Sequence, residues 1–148
     1  MSAMGVVTIL RAGIVTIYAN MATTANYTGT SSSYTLNIAK LNGSVAFADA
    51  TLNVTTANST VTNNLTVTGN GNLTYNTSDA NVATVNSTTG VVTILKGGNV
   101  TISAVEADSD TYVGASTSYT LNIAKLNGSV AFANSTVSAT VANSTITT

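Results

Sequence analysis

The residues able to do chemistry in this chain are few. It has no His and no Cys, and its acids are Asp49, Asp79, Glu106, Asp108 and Asp110. Acid–base or nucleophilic catalysis needs a tunable base beside a nucleophile. With carboxylates the only candidate bases, and no two of them spaced as a catalytic pair, the composition argues against an enzyme. One acidic cluster stands out, Glu106-Ala107-Asp108-Ser109-Asp110. Carboxylates at i, i+2 and i+4 in a loop are a candidate calcium site, because Ca²⁺ takes six to eight oxygen ligands. The alternative is a solvated loop. The aligned residues of an internal repeat described below, Met21, Thr23 and Ala25, do not keep the feature. No other metal or cofactor is expected.

The second chemical pattern is Asn-X-Ser/Thr. It occurs at Asn26, Asn42, Asn53, Asn58, Asn64, Asn72, Asn76, Asn86, Asn99, Asn127, Asn134 and Asn143. With 18 Asn and 45 Ser or Thr in 148 residues, composition alone gives about five such triplets, so twelve is twice the chance level and makes N-glycosylation a candidate modification. An Asn/Thr-rich strand surface is the competing explanation. A third chemistry, a Lys–Asn isopeptide bond, occurs in some surface domains. Lys40 and Lys125 fall at strand ends, where exposure is the expectation instead.

The elements that carry these residues are set by a repeat. The sixteen residues 33–48, SYTLNIAKLNGSVAFA, return unchanged at 118–133, an offset of 85. Residues 1–63 align with 86–148 without a gap, and 39 of the 63 pairs are identical. A fixed period of this kind sets the fold before any other consideration. It divides the chain into 1–40, the C-terminal part of one repeat; 41–125, a complete repeat; and 126–148, the N-terminal part of the next.

Within the complete repeat, apolar and polar residues alternate with the period of half-buried strands. Strands are expected at 44–48, at 51–55 continuing along the same edge, and at 65–68, 73–76, 82–86, 90–95, 100–105 and 119–124, with turns at Lys40-Leu41-Asn42-Gly43, Gly69-Asn70-Gly71-Asn72 and Lys96-Gly97-Gly98. The last of these reads as a tight hairpin returning 100–105 onto 90–95. The expected core is Phe47, Leu65, Val67, Leu73, Tyr75, Val92, Ile94, Val100, Ile102, Tyr119, Leu121 and Ile123. Seven or eight short strands in 85 residues, with no helical period, predict an all-β fold: tandem immunoglobulin-like β-sandwich repeats, one complete and two partial.

Residues 81–104, NVATVNSTTGVVTILKGGNVTISA, resemble the signature of bacterial Ig-like domains of group 2, similar to the repeats of invasin- and intimin-like adhesins. The stretches 108–112 and 118–123 resemble the late part of such repeats, and the usual third-strand Trp is replaced by Tyr75. The resemblance covers the whole 85-residue unit. It implies an extracellular stalk or adhesive module, and it brings no catalytic residues.

Charged residues are 6% of the chain and the net charge is −1. That leaves no basic patch for nucleic acid and no polybasic membrane anchor. Residues 5–19, GVVTILRAGIVTIYA, are too short to span a bilayer and carry Arg11. Their twin at 90–104 belongs to the repeat, so both are expected as two strands and a turn. No targeting segment is visible, which implies a processed chain or one cut from something longer. The expected partner is the protein itself, polymerised head to tail at the cell surface. The competing expectation is an adhesin repeat that contacts a glycan or a host surface.

Overall fold

The computed structural model describes residues 4–142 and 145–147. All regular structure among them is strand. In chain order the strands are β1 (Gly13–Met21), β2 (Thr30–Ile38), β3 (Leu41–Asn42), β4 (Ser44–Phe47), β5 (Thr51–Thr55), β6 (Thr60–Val61) and β7 (Leu65–Thr68). There follow β8 (Leu73–Thr77), β9 (Ala83–Val85), β10 (Val92–Ile94), β11 (Gly98–Glu106), β12 (Tyr112–Val113) and β13 (Ala115–Ala124).

A four-stranded sheet, in the order β5-β13-β11-β8, forms one side of the central unit. β11 runs antiparallel to both β13 and β8, while β5 lies parallel to β13. Opposite it lie the pair β4-β7 and the sheet β6-β10-β9. The arrangement is consistent with a β-sandwich. Alternation explains the core: Val100, Ile102 and Ala104 of β11 and Tyr119, Leu121 and Ile123 of β13 all face inward and are buried. Val82, Ala83 and Val92 meet them from the other layer, with Phe47, Leu52, Val54, Val61, Val85 and Ile94 packed around. The Phe47 ring stands edge-on to Tyr119 at 4.6 Å and tilts against Tyr75 at 6.4 Å.

Several sequence expectations are corrected. Lys96-Gly97-Gly98 does not close a hairpin. It carries the chain from one layer to the other, because β10 pairs with β6 and β9 while β11 pairs with β13 and β8. Residues 51–55 do not continue the edge of β4. The chain switches sheets, β4 pairing with β7 and β5 with β13. Val67 is exposed, although it shares a face of the β4–β7 pair with Leu65 and, through its partner Val45, with the core-packed Phe47. Residues 4–10 form no strand, unlike their counterpart β10, for β10 is held by β6 and β9 and residues 4–10 have no such neighbours among the described residues. Leu41–Asn42, expected as a turn, makes a short parallel pairing with β12.

Outside the unit, β1 and β2 form a two-stranded hairpin of their own. Among the described residues after Ala124, none is in a strand.

Candidate functional site

The hairpin β1–β2 repeats a piece of the central unit. Gly13 stands opposite Ile38 and Met21 opposite Thr30, just as Gly98 stands opposite Ile123 and Glu106 opposite Ala115. Every one of the nine pairs matches at the offset of 85. Identical sequence at 33–38 and 118–123, with Val15-Thr16-Ile17 matching Val100-Thr101-Ile102, dictates the same strands and register. The surroundings differ. Tyr119 is 2% exposed and Tyr34 is 54% exposed. Val15 and Met21 are exposed where Val100 and Glu106 are buried. The hairpin therefore presents an apolar face and, along β2, an edge that nothing among the described residues pairs with.

Its foot is fixed to one pole of the central unit. Ala12 N–H donates to the Asp110 carbonyl at 3.0 Å, and Leu41 N–H to the Thr111 carbonyl at 2.8 Å. Gly43 N–H donates to the Val113 carbonyl at 3.0 Å. Lys40 Nζ lies 3.0 Å from Asp108 Oδ2. Asp108 Oδ1 also accepts a bond from Gly114 N–H at 2.7 Å. That backbone bond first, and Lys40 second, hold the Asp108 carboxyl below the ordinary aspartate range. The seam is a clamped joint rather than a loose linker.

The acidic cluster is split by the same geometry. Glu106 is the last residue of β11, falls on the inward face and is buried. Its Oε1 accepts a bond from Gly71 N–H at 3.0 Å, and Oε2 has no hydrogen-bond partner. The β7–β8 turn closes over it, and a side chain at Gly71 would collide with the Ala107 carbonyl. Asp108 is exposed and committed to Lys40 and Gly114, and Asp110 is exposed. Glu106, Asp108 and Asp110 are not gathered, and among the described residues no three acidic side chains converge on a metal position. The i, i+2, i+4 spacing misleads here because its first member still obeys strand alternation and turns inward.

The candidate glycosylation residues Asn26, Asn42, Asn53, Asn58, Asn64, Asn72, Asn76, Asn86, Asn99, Asn127 and Asn134 are all exposed. Asn143 lies outside the described residues. Several side chains already have local work: Asn86 Oδ1 accepts from Thr88 and Thr89 N–H, Asn58 Oδ1 from Thr55 N–H, and Asn53 Oδ1 from Asn122 Nδ2. The buried Asn63 is outside the pattern and clamps Asp49 through its N–H and carbonyl. Lys40, the isopeptide candidate at the seam, is occupied by Asp108. Lys125 packs its stem beside Gly97.

Sequence reasoning located the seam but missed the Lys40–Asp108 contact. The two lie 68 positions apart, and the only signal was that a scarce cation and a scarce anion both sit next to turns. No protein-family model matches the chain, and no curated protein matches it.

Proposed function

We propose that the chain is a structural segment of an extracellular filament or surface stalk. The beads are Ig-like sandwiches of one 85-residue repeat, joined head to tail by tandem repetition or by strand complementation. The observation that carries this reading is the hairpin β1–β2: it has the strands and register of β11–β13 without their covering layer. A half-built sandwich with a bare apolar face calls for the rest of its repeat.

The Ig-like description draws on the order of β8, β11 and β13, which follows that of the C, F and G strands, and on the group 2 resemblance of residues 81–104. It is an analogy at the level of fold. A scaffold role suits a surface made of Thr, Ser and Asn in a chain with no His and no Cys. Asn-linked glycans would sit on the outer faces of the beads.

Electron microscopy of the concentrated protein tests the reading. Expected are unbranched strings of beads with a spacing of about 40 Å, the length of one sandwich estimated from strand rise. Monomers at every concentration, together with a native polypeptide no longer than this chain, would remove it. Binding to a glycan array by isolated beads would favour an adhesin instead.

A further inference from the structure

We infer that the bare β2 edge and face of the hairpin are the docking site for residues 126–139 and Ile146 of a second copy of this chain, which add a parallel strand to β2 in the register β5 takes on β13. This rests on the head-to-tail reading above and specifies its contact.

The central unit supplies the template. There β5 lies parallel to β13, Thr51 opposite Thr120, Leu52 opposite Leu121 and Val54 opposite Ile123. Thr120 N–H donates to the Ala50 carbonyl at 3.0 Å, so it points away from β11 and toward β5. Phe47 stands edge-on to Tyr119, and Val61 pairs with Val92. Each partner has a counterpart 85 positions away. Thr136, Val137 and Ala139 correspond to Thr51, Leu52 and Val54, and Phe132 to Phe47. Thr35, Leu36, Ile38 and Tyr34 correspond to Thr120, Leu121, Ile123 and Tyr119. Ile146 and Val7 correspond to Val61 and Val92.

The donor and acceptor surfaces are both open. Phe132, Val137 and Ile146 are exposed on one side, and Tyr34 and Val7 on the other. By the shared register, Thr35 N–H faces the free edge of β2, aimed where the Ser135 carbonyl would arrive. The seam that positions the donor, residues 126–133, is identical to residues 41–48, which position β4 in the central unit. Strand addition of this kind gains main-chain hydrogen bonds from the edge and specificity from alternate side chains.

The donor comes from another copy because of where the two surfaces lie. In this register Leu126-Asn127 runs beside Tyr27-Thr28, as Leu41–Asn42 runs beside Tyr112–Val113. Tyr27-Thr28 lies just before β2, at the end of the hairpin away from its foot. The hairpin is rooted at the Asp110–Thr111 pole, whereas Thr56 N–H bonded to the Ala124 carbonyl marks the opposite pole. The ten residues of β13 separate the poles by about 33 Å, and the nine of β2 add about 30 Å. Lys125 alone joins Ala124 to Leu126, and one residue reaches at most about 3.6 Å. A contact between unlike surfaces at opposite poles does not close on itself, so it propagates. Because the donor is a separate chain, assembly is concentration-dependent.

The test is disulfide trapping in the full chain, which has no cysteine of its own. Thr35→Cys with Thr136→Cys places two thiols on facing residues of neighbouring strands, within disulfide reach at about 4.8 Å. Both correspond to exposed positions, Thr120 and Thr51. Thr51→Cys with Thr120→Cys is the positive control and must close within one chain. Ser33→Cys with Thr136→Cys is the out-of-register control. Expected on a non-reducing gel is a ladder of linked oligomers for the first pair, strongly reduced for the out-of-register pair. A disulfide-closed monomer would overturn the second copy as occupant. No disulfide in a chain that still forms strings would overturn this register and leave the head-to-tail reading standing. No disulfide in a chain that stays monomeric would overturn this docking and strand complementation altogether, leaving tandem repetition as the only form of the head-to-tail reading.

Discussion

Tyr34 and Tyr119 occupy the same place in two hairpins of identical register, Tyr34 opposite Ile17 and Tyr119 opposite Ile102, yet Tyr119 is buried under Phe47 and Tyr34 is exposed. Local sequence makes the hairpin, and the covering layer makes the core. The difference between these two tyrosines is the layer that covers one of them and, among the described residues, not the other.

The same contrast predicts unequal effects of one substitution made twice. Ile102→Asp puts a charge at a position 1% exposed in the centre of the four-stranded sheet. Loss of more than about 4 kcal/mol is expected, enough to unfold the unit. Ile17→Asp, at the corresponding site of the hairpin, is expected to change the denaturation midpoint of the central unit by no more than about 0.5 kcal/mol. Urea denaturation followed by circular dichroism compares the two. A folded Ile102→Asp variant would contradict the strand register.

Gly90 combines a φ of +72° with close approach to the Tyr75 ring, where a methyl group would come within 2.8 Å. Gly90→Ala is expected to cost about 1–2 kcal/mol for the left-handed backbone alone, with displacement of the ring adding to it. Thermal unfolding measures the sum. The Tyr75–Phe47–Tyr119 cluster should loosen, which near-ultraviolet circular dichroism of the tyrosines reports.

Tyr119 has a buried hydroxyl without a hydrogen-bond partner, and burial raises its pKa above the ordinary value. The raised pKa means the fold favours the neutral phenol. Its contribution is full below pH about 10, the unfolded value, and is lost as pH rises through the folded one. Tyr119→Phe is expected to raise stability by about 1 kcal/mol, since an unsatisfied buried group is removed and the ring is kept. It should also weaken the alkaline loss, as denaturation at pH 8 and pH 11 will show.

The joint between hairpin and bead responds at the other end of the scale. The Gly114 bond and then Lys40 depress the Asp108 pKa. Its contribution is therefore present above the unfolded aspartate value near pH 4 and is lost as pH falls through the lower folded one. The Gly114 amide shift, followed by NMR, should titrate with a midpoint below the ordinary 3.8. Asp108→Asn should abolish that step and leave the core signals unchanged.

Much of the strand pattern was legible because alternation is local. Ile102, Tyr119 and Leu121 were placed in the core from spacing alone, and β7 was delimited to the residue. Pairing was less legible. Lys96-Gly97-Gly98 has the composition of a hairpin turn, but which strands meet is decided by layers that form across long separations. Val82 and Ala83 were missed as core residues because Val82 ends a turn and Ala83 begins a three-residue strand, too short for a period to show. The seam was legible as a repeat, whereas the Lys40–Asp108 clamp required the loop 107–111 to fold back beside it.

Hydrogen exchange at a single amide tests the central claim most directly. Thr120 N–H is bonded across to the strand that completes its sheet, and Thr35 N–H occupies the same position on the open edge of β2. If beads complete one another head to tail, Thr35 should exchange freely in dilute protein and approach the protection of Thr120 as concentration rises. Thr35 remaining unprotected at every concentration, while Thr120 stays protected, would contradict the account.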